Sequence, residues 1–349
     1  MSILDVNKQM VSDLWLDQPD AHTRIDGRLA RGEITADEAE RLRHFCDQGF
    51  MRISIRLDEQ DAQALQDDIE ALWDRRPVDL AVAAKSGDRV SFRDYEHDRM
   101  IGYRIPDLHS HSPRARDLYL HPDIFRMVEL VFDQPAVAFQ SLYFQFGSEQ
   151  SLHRDPMFVV TEPPSHLCAA WIALEDITPD AGPLLYAPGS HRMPWFEFDD
   201  DTVNVAVKEE AKDKRQEWAA YRARMLDEMG LRVESLTCRR GDVFVWHGGL
   251  LHGGEPVREP TATRKSFVVH YSTAAHYRSR RATMKMKVTE GGEATWRNVG
   301  ATTERLLVEG ERRGIDNPLR ELQVPSPAPG TERRRAGRRG WRALLGRTG

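Results

Sequence analysis

The chain has 349 residues, 40% of them hydrophobic and 30% charged, a composition typical of a globular protein with a large buried core. Its longest apolar runs, such as residues 167–174, are far shorter than the ~20 residues of a membrane-spanning helix. The net charge of −6 becomes −12 without residues 332–349, which hold seven arginines and one glutamate, and so acidic a body disfavours nucleic-acid binding.

The N-terminus and the cysteines indicate the cellular compartment. Residues 1–15 carry acidic residues early and lack the basic-then-apolar order of a secretory signal, which favours a cytoplasmic protein. Cys46, Cys168 and Cys238 lie far apart without C-x-x-C spacing. We therefore expect reduced core thiols, and neither a disulfide framework nor a structural zinc site.

Two helices with a strand between them are predicted after residue 34. Residues 35–47, TADEAERLRHFCD, open with a Thr-x-x-Glu capping box, and Gly49 lies just past their end. The segment FMRISI alternates as a short strand. Asp58 then caps a helix that closes before Pro77.

One further helix is predicted before the β-rich part of the chain. Residues 76–113 show little periodicity, which predicts irregular loops. Pro122 and Asp123 start a helix that Pro135 stops. The carboxylate of Asp123 is expected to accept backbone N–H groups at the start of this helix.

From Ala136 the chain consists of short β-rich runs separated by turn signals, among them AVAFQSLYFQFG, LHRDPMFVV, HLCAAWIALEDI, DVFVWHG and KSFVVHYS. Many short strands after a group of helices, without strand–helix alternation, predict an α+β protein whose core is a β-sandwich or jelly roll. Residues 199–230 interrupt the strands as a charged, helical insertion, for which a solvated flank is favoured over a lid on a pocket.

These changes in composition divide the chain into segments. We predict an N-terminal extension (1–34), a main domain (35–282) that contains the insertion (199–230), a C-terminal extension (283–323) and a disordered basic tail (324–349). Contact of the tail with an anionic membrane surface is a less favoured alternative to plain disorder.

One short stretch indicates a metal site. In QSLHRDPMFV, residues 150–159, His153 and Asp155 lie two apart in a run interpreted as a strand, whose alternate side chains point to one face. Phe158 is expected in the core. His121 and Asp123 have the same spacing, but their place at a helix start favours capping over metal binding.

A non-haem Fe(II) site needs a third ligand, usually a second histidine. GDVFVWHGGLLHGG, a strand followed by a Gly-rich turn, offers His247 and His252 about a hundred residues further on. Arg264 lies twelve residues after His252, in the segment TRKSFVVHYS, where Arg264 and Ser266 share a strand face. A guanidinium and a hydroxyl so placed suit the far carboxylate of a 2-oxo dicarboxylic acid whose keto acid end chelates iron.

In these segments the chain resembles the phytanoyl-CoA dioxygenase-like family of Fe(II)- and 2-oxoglutarate-dependent oxygenases. The resemblance rests on LHRD, AAWIALEDITPDAGPLLYAPGSHR, GDVFVWHGGLLHGG and TRKSFVVHY, in the family's order, and covers roughly residues 36–275. It implies a double-stranded β-helix core (jelly roll, cupin-like) with flanking helices, and it places the family's catalytic domain in residues 35–282.

The resemblance also assigns individual residues. It assigns the iron ligands to His153, Asp155 and His252, and the contacts of 2-oxoglutarate to Arg264, Ser266 and Trp171. His247 is left as a neighbour of the site. Arg192, in the segment PGSHR, is expected to be solvated rather than to contact a substrate.

The implied activity is hydroxylation of an unactivated C–H bond of a small-molecule substrate, with Fe(II), O₂ and 2-oxoglutarate, and release of succinate and CO₂. Two alternatives stay open: a non-catalytic jelly-roll ligand-binding protein, and a cupin-type metal enzyme such as an isomerase. The complete ligand set disfavours the first, and Arg264 with Ser266 disfavours the second. The substrate cannot be read from the sequence.

Overall fold

The computed structural model describes residues 12–85, 89–96, 99, 101–159, 161–198, 203, 211–273, 275–276, 285–290 and 293–298. Within these ranges the α-helices are α1 (Ala21–Ala30), α2 (Ala36–Gln48), α3 (Glu59–Arg75), α4 (Pro113–Tyr119), α5 (Pro122–Phe132) and α6 (Ala211–Glu228). The strands are β1 (Phe50–Ser54), β2 (Ala81–Ala83), β3 (Arg89–Ser91), β4 (Arg104–Pro106), β5 (Ala136–Phe144), β6 (Cys168–Ala173), β7 (Leu184–Tyr186), β8 (Glu234–Leu236), β9 (Asp242–His247), β10 (His252–Gly254), β11 (Ser266–Thr273), β12 (Lys285–Glu290) and β13 (Glu293–Asn298).

The predicted capping residues define the ends of α2 and α3. The Glu38 N–H donates to Thr35 Oγ1 at 3.2 Å, and the Thr35 N–H donates to a Glu38 carboxylate oxygen at 2.7 Å, which completes the capping box. Helix α2 ends at Gly49, whose φ of 80° favours glycine. Asp58 accepts the Asp61 N–H at 2.9 Å and so caps α3.

Helix α5 begins differently from the prediction. Its N-cap is His121, and no side-chain hydrogen bond caps this end among the described residues. Pro122 starts the helix as predicted, but Asp123 lies inside the first turn with its carboxylate in solvent, so its predicted capping role is wrong.

Two sheets form the jelly roll. The larger sheet has the strand order β1-β9-β6-β11-β5-β4-β2-β3-β12-β13, and the smaller has the order β10-β7-β8. Strands β2, β3 and β4 lie in residues 76–113, for which the prediction of irregular loops was wrong. Each is three residues long, and so short a strand shows no readable periodicity.

The two faces of the larger sheet pack against different layers. Ala170 and Val269 point to the side where the helices pack. Trp171 and Val268, their neighbours in sequence, point to the other side and pack with Leu184 of the smaller sheet. This alternation confirms the predicted α+β jelly roll, and the space between the sheets contains the candidate site.

The helical part of the insertion is exposed over most of its length, as a solvated flank would be, but it is anchored at Trp218. Trp218 of α6 is buried in an apolar cluster with Met157, Phe198 and Leu251. Met157 lies two residues after Asp155, and Leu251 directly precedes His252. Helix α6 therefore packs over the two segments that carry the candidate metal ligands.

Other predictions concern the cysteines, membrane-spanning helices and the C-terminal part of the chain. All three cysteines are free thiols. No helix in the described ranges is both long and apolar enough to cross a bilayer. Strands β12 and β13 lie in the predicted C-terminal extension. The basic tail, 324–349, lies outside the described residues, and the domain boundaries stay predictions.

Candidate functional site

His153 and Asp155 converge, although they do not share a strand. His153 forms an isolated antiparallel bridge with His252. The two backbone hydrogen bonds of this bridge have N···O distances of 2.9 and 3.0 Å. Asp155 begins a 3-10 turn, because Pro156 has no N–H to continue a ladder. Phe158, beyond this turn, is 56% exposed, so its predicted place in the core was wrong.

The structure brings the three predicted ligands together. One ligand atom from each of His153, Asp155 and His252 lies within 4.8 Å of the other two, and all three residues are buried. Oδ1 of Asp155 is 3.3 Å from Nε2 of His252 and 4.0 Å from Nε2 of His153. A metal ion that prefers octahedral coordination could bind these three ligand atoms on one face of its octahedron.

Hydrogen bonds leave the correct atoms of this triad free for a cation. Nδ1 of His153 is 2.9 Å from the carbonyl of Ser151, and Nδ1 of His252 is 3.0 Å from the carbonyl of Leu250. Because a carbonyl only accepts, both Nδ1 atoms carry a proton, and the Nε2 atoms are the ones that face Asp155. Trp246 donates its indole N–H to the other carboxylate oxygen, Oδ2, at 2.8 Å.

The charges within the triad also suit a cation. Burial lowers the pKa of His153 to about 3, with a smaller contribution from His252, so this imidazole is neutral at neutral pH. Burial alone would raise the pKa of Asp155, but His252 and His270 outweigh it and hold that pKa well below its usual value. A buried carboxylate among imidazoles is a set of donor atoms that could hold a metal ion.

Glycine at position 253 lets the two ligand segments approach. A Cβ atom there would lie 2.6 Å from the carbonyl oxygen of Gln150, a distance that real side chains do not adopt. The His-Gly-Gly order of the sequence therefore follows from the backbone bridge between His153 and His252.

Arg264, Ser266 and Trp171 have buried polar atoms that lack partners. The Arg264 side chain donates through Nη1 to the carbonyl of Gly182 at 3.1 Å. Its Nε, the Ser266 hydroxyl and the Trp171 indole N–H have no hydrogen-bond partner in the described part of the chain. The Arg264 guanidinium lies 5.9 Å from the Trp171 ring centroid, and burial lowers the pKa of Arg264 to about 10. Buried donors without acceptors fit an anionic ligand between the sheets.

Two residues of the site were missed from the sequence. His270 Nε2 lies 3.6 Å from Asp155 Oδ1. The alternation that pairs Arg264 with Ser266, continued along β11, would have found His270. Arg104 is in register with Phe144, which is in register with Ser266, so Arg104 belongs to the same row of the sheet.

Arg104 is a partly buried cation without a described partner. No hydrogen bond or ion pair joins it to another residue in the described ranges, and burial is the cause that lowers its pKa. Its charge also helps to lower the pKa of His153. No sequence motif marks Arg104, because β4 is too short to show a period.

His247 and Arg192 point away from the triad. His247 Nε2 is 3.3 Å from Asp17 Oδ2, so His252 is the histidine of this segment that joins the cluster. Arg192 donates to the carbonyl of Cys46 at 2.8 Å, and its side chain is half exposed. Both residues connect the jelly roll to the N-terminal helices.

Comparison with known proteins gives the family. The family model "Phytanoyl-CoA dioxygenase (PhyH)" matches residues 45–266, which is more than half of the chain, so the chain belongs to the phytanoyl-CoA dioxygenase family. Membership supports the general reaction type of a non-haem iron, 2-oxoglutarate-dependent dioxygenase. The resemblance inferred from the sequence is thereby confirmed.

Two relatives agree with this assignment, and one solved structure has a similar fold. "Phytanoyl-CoA dioxygenase domain-containing protein 1" of Mus musculus is 25% identical over 261 residues, which cover 71% of this chain and 86% of the relative. "Phytanoyl-CoA dioxygenase, peroxisomal" of Bos taurus is 21% identical over 250 residues and covers 68% and 69%. The epimerase SnoN, solved with Fe3+, alpha ketoglutarate and nogalamycin RO, has a TM-score of 0.51 at 17% identity, over 69% of this chain and 85% of its own. That similarity concerns the fold.

Proposed function

We propose that this chain is an Fe(II)- and 2-oxoglutarate-dependent oxygenase that hydroxylates an unactivated C–H bond of a small-molecule substrate and releases succinate and CO₂. The observation that carries the proposal is the buried triad of His153, Asp155 and His252, with both Nε2 atoms and one carboxylate oxygen left free by their hydrogen bonds. Family membership supports the same reaction type.

In this proposal the triad would hold Fe(II), which would supply the redox chemistry with O₂ and 2-oxoglutarate. The carbonyls of Ser151 and Leu250 fix the ring orientations of His153 and His252. Trp246 holds Asp155 so that one oxygen faces the imidazoles. The protein thus sets the ligand geometry and excludes water.

Arg264, Ser266 and Trp171 are the proposed contacts of the far carboxylate of 2-oxoglutarate. Their unpartnered donors match the acceptors that a carboxylate offers, and Arg264 can pair with both oxygens at once. Arg104, which has no described partner and shares the row of Phe144 and Ser266, is the proposed partner of another anionic group of the ligand or the substrate. Burial strengthens these charged hydrogen bonds because water competes less.

The proposal is less specific about the identity of the substrate. A small molecule would enter beside Phe158, whose ring is 5.3 Å from the His153 ring and more than half exposed. The name of one relative refers to phytanoyl-CoA, so acyl-CoA thioesters are the first class of substrate to screen.

The test is release of succinate from 2-oxoglutarate by the purified protein with Fe(II) and O₂, without added substrate. The proposal expects slow succinate formation that Asp155→Ala abolishes. Binding of 2-oxoglutarate without succinate would instead support a ligand-binding protein. Metal binding without affinity for 2-oxoglutarate would support a cupin-type metal enzyme of another kind.

A further inference from the structure

Arg154 lies between two proposed ligands, His153 and Asp155, and its side chain points the other way. It is 1% exposed. In the described part of the chain no carboxylate pairs with it, and burial lowers the pKa of Arg154 to about 10. A cation so buried, without an acidic partner, needs other acceptors.

Backbone carbonyls of one loop provide those acceptors. Nη1 of Arg154 donates to Pro194 at 2.9 Å, and Nη2 donates to Ser190 at 2.8 Å and to Met193 at 2.9 Å. The guanidinium also lies 4.9 Å from the ring centroid of Trp195. Three charge-assisted bonds to carbonyls fix both the loop, residues 190–194, and the segment that carries the His-x-Asp pair.

The same loop also binds the segment that carries His252, the third proposed ligand. Ser190, whose carbonyl accepts from Arg154, uses its hydroxyl oxygen to accept the N–H of Leu251 at 2.8 Å. Leu251 directly precedes His252. One residue of the loop therefore connects the two segments that meet at the triad.

Helix α6 is attached to the same network. Tyr221 donates its hydroxyl to the carbonyl of Pro194 at 2.7 Å, so Pro194 accepts from both Tyr221 and Arg154. Arg222 donates to the carbonyl of Leu152, one residue before His153, at 2.5 Å. Hydrogen bonds thus join helix α6, which packs over the site, to the segments that carry the proposed metal ligands.

We propose that Arg154 is a positioning residue of the metal centre: by binding the carbonyls of loop 190–194, it holds His153 and Asp155 at the spacing from His252 that a metal ion requires. The inference rests on the metal centre of the proposed function. Arg154 touches neither metal nor substrate, and it acts through the loop and through Ser190.

The experiment measures anaerobic Fe(II) affinity and the visible absorption of the Co(II)-substituted protein, which reports ligand geometry. Arg154→Met should weaken Fe(II) binding by about 10- to 100-fold, as loss of residues that support metal ligands does, and should change the Co(II) spectrum. Arg154→Lys should recover part of the affinity, because an ammonium keeps the charge but lacks the planar fork. All measurements are made below the melting temperature of each variant.

Arg192→Met is the matched control, since Arg192 lies in the same loop but donates to Cys46 on the other side. It should bind Fe(II) as the parent does. If Arg154→Met and Arg154→Lys lower the melting temperature yet bind Fe(II) within about twofold of the parent, with an unchanged Co(II) spectrum, Arg154 is only a core residue and the inference is overturned. Should Arg154→Met fail to fold, the Arg154→Lys result decides alone. Failure of the proposed function has a different result: the parent and Asp155→Ala would bind Fe(II) equally.

Discussion

Trp246 donates its indole N–H to Oδ2 of Asp155 at 2.8 Å, and its ring packs against His252 with centroids 4.8 Å apart. One side chain therefore orients two of the three proposed ligands. Trp246 lies on β9, directly before His247, so the strand that leads to the Gly-rich turn also supplies the support for the carboxylate. The bond leaves Oδ1 to face the imidazoles.

Trp246→Phe should weaken Fe(II) binding by about 10-fold or more, since it removes the N–H that orients Asp155 but keeps an aromatic ring beside His252. Anaerobic titration with Fe(II) measures the change. Trp73→Phe is the control, because the Trp73 indole N–H has no partner among the described residues. Equal affinity in the two variants would contradict the orienting role of Trp246.

Asp155→Ala and Asp123→Ala compare the two His-x-Asp pairs of the chain. We expect Asp155→Ala to abolish Fe(II) binding and succinate release while the protein stays folded, because it removes the only carboxylate of the triad. Asp123→Ala should change neither, since Asp123 is 70% exposed and lies 4.0 Å from His121 on the helical side of the sheet. Loss in both variants would mean that the His121 pair also takes part.

The predictions from sequence succeeded where a local rule acts alone. The capping box of Thr35 and Glu38 and the N-cap at Asp58 depend on a few neighbouring residues, and the structure has them as expected. The β-rich runs that form β6, β9 and β11 are also recognised locally, because burial of both faces of one sheet makes these strands almost continuously apolar. Such features need no knowledge of distant segments.

The details of the site depend on contacts between distant segments, which no periodicity encodes. His153 and Asp155 converge through a bridge to His252 and a turn at Pro156, so the predicted spacing was useful although its structural reason was wrong. Arg104 comes into the row of Ser266 through strand pairing across β5. Its position could not be inferred from neighbours in sequence.

Arg104→Met tests whether this cation binds an anionic group of the ligand or the substrate. We expect the affinity for 2-oxoglutarate to fall by about 10-fold, since a charged hydrogen bond contributes roughly 1.5–3 kcal/mol. Fe(II) affinity should not fall, because removal of a nearby positive charge does not oppose a cation. Unchanged binding of 2-oxoglutarate would instead assign Arg104 to the substrate, or to no ligand.

Asp17 and His247 give the protein a pH-dependent stability outside the site. Burial raises the pKa of Asp17, but His247 and the Ser12 hydroxyl outweigh it and lower the pKa to about 2. Since the folded pKa lies below the unfolded value of 3.8, this stabilisation is present above about pH 4 and is lost as pH falls towards 2.

Asp17→Asn should therefore lower the free energy of unfolding by about 2 kcal/mol at pH 7, and the difference from the parent should shrink as pH falls below about 4. Urea unfolding of both proteins at a series of pH values measures it. A difference that stays constant with pH would show that Asp17 acts through packing and neutral hydrogen bonds rather than through its charge.

Arg264→Leu separates the proposed cosubstrate pocket from the metal triad. The triad does not contact Arg264, so Fe(II) affinity should be unchanged, while 2-oxoglutarate loses the partner of its far carboxylate. Two charged hydrogen bonds at roughly 1.5–3 kcal/mol each predict a fall in affinity of about 100-fold or more, at ~1.4 kcal/mol per tenfold. Arg264→Lys should recover only part of this loss, because an ammonium cannot form the bidentate fork.

Ser266→Ala, which removes one unpartnered hydroxyl on the same strand face, should lower the affinity for 2-oxoglutarate by about 10-fold. Calorimetric titration of 2-oxoglutarate into the Fe(II)-loaded variants measures all three. Parent-like affinity in Arg264→Leu would remove the strongest reason for preferring an oxygenase over another jelly-roll metal protein.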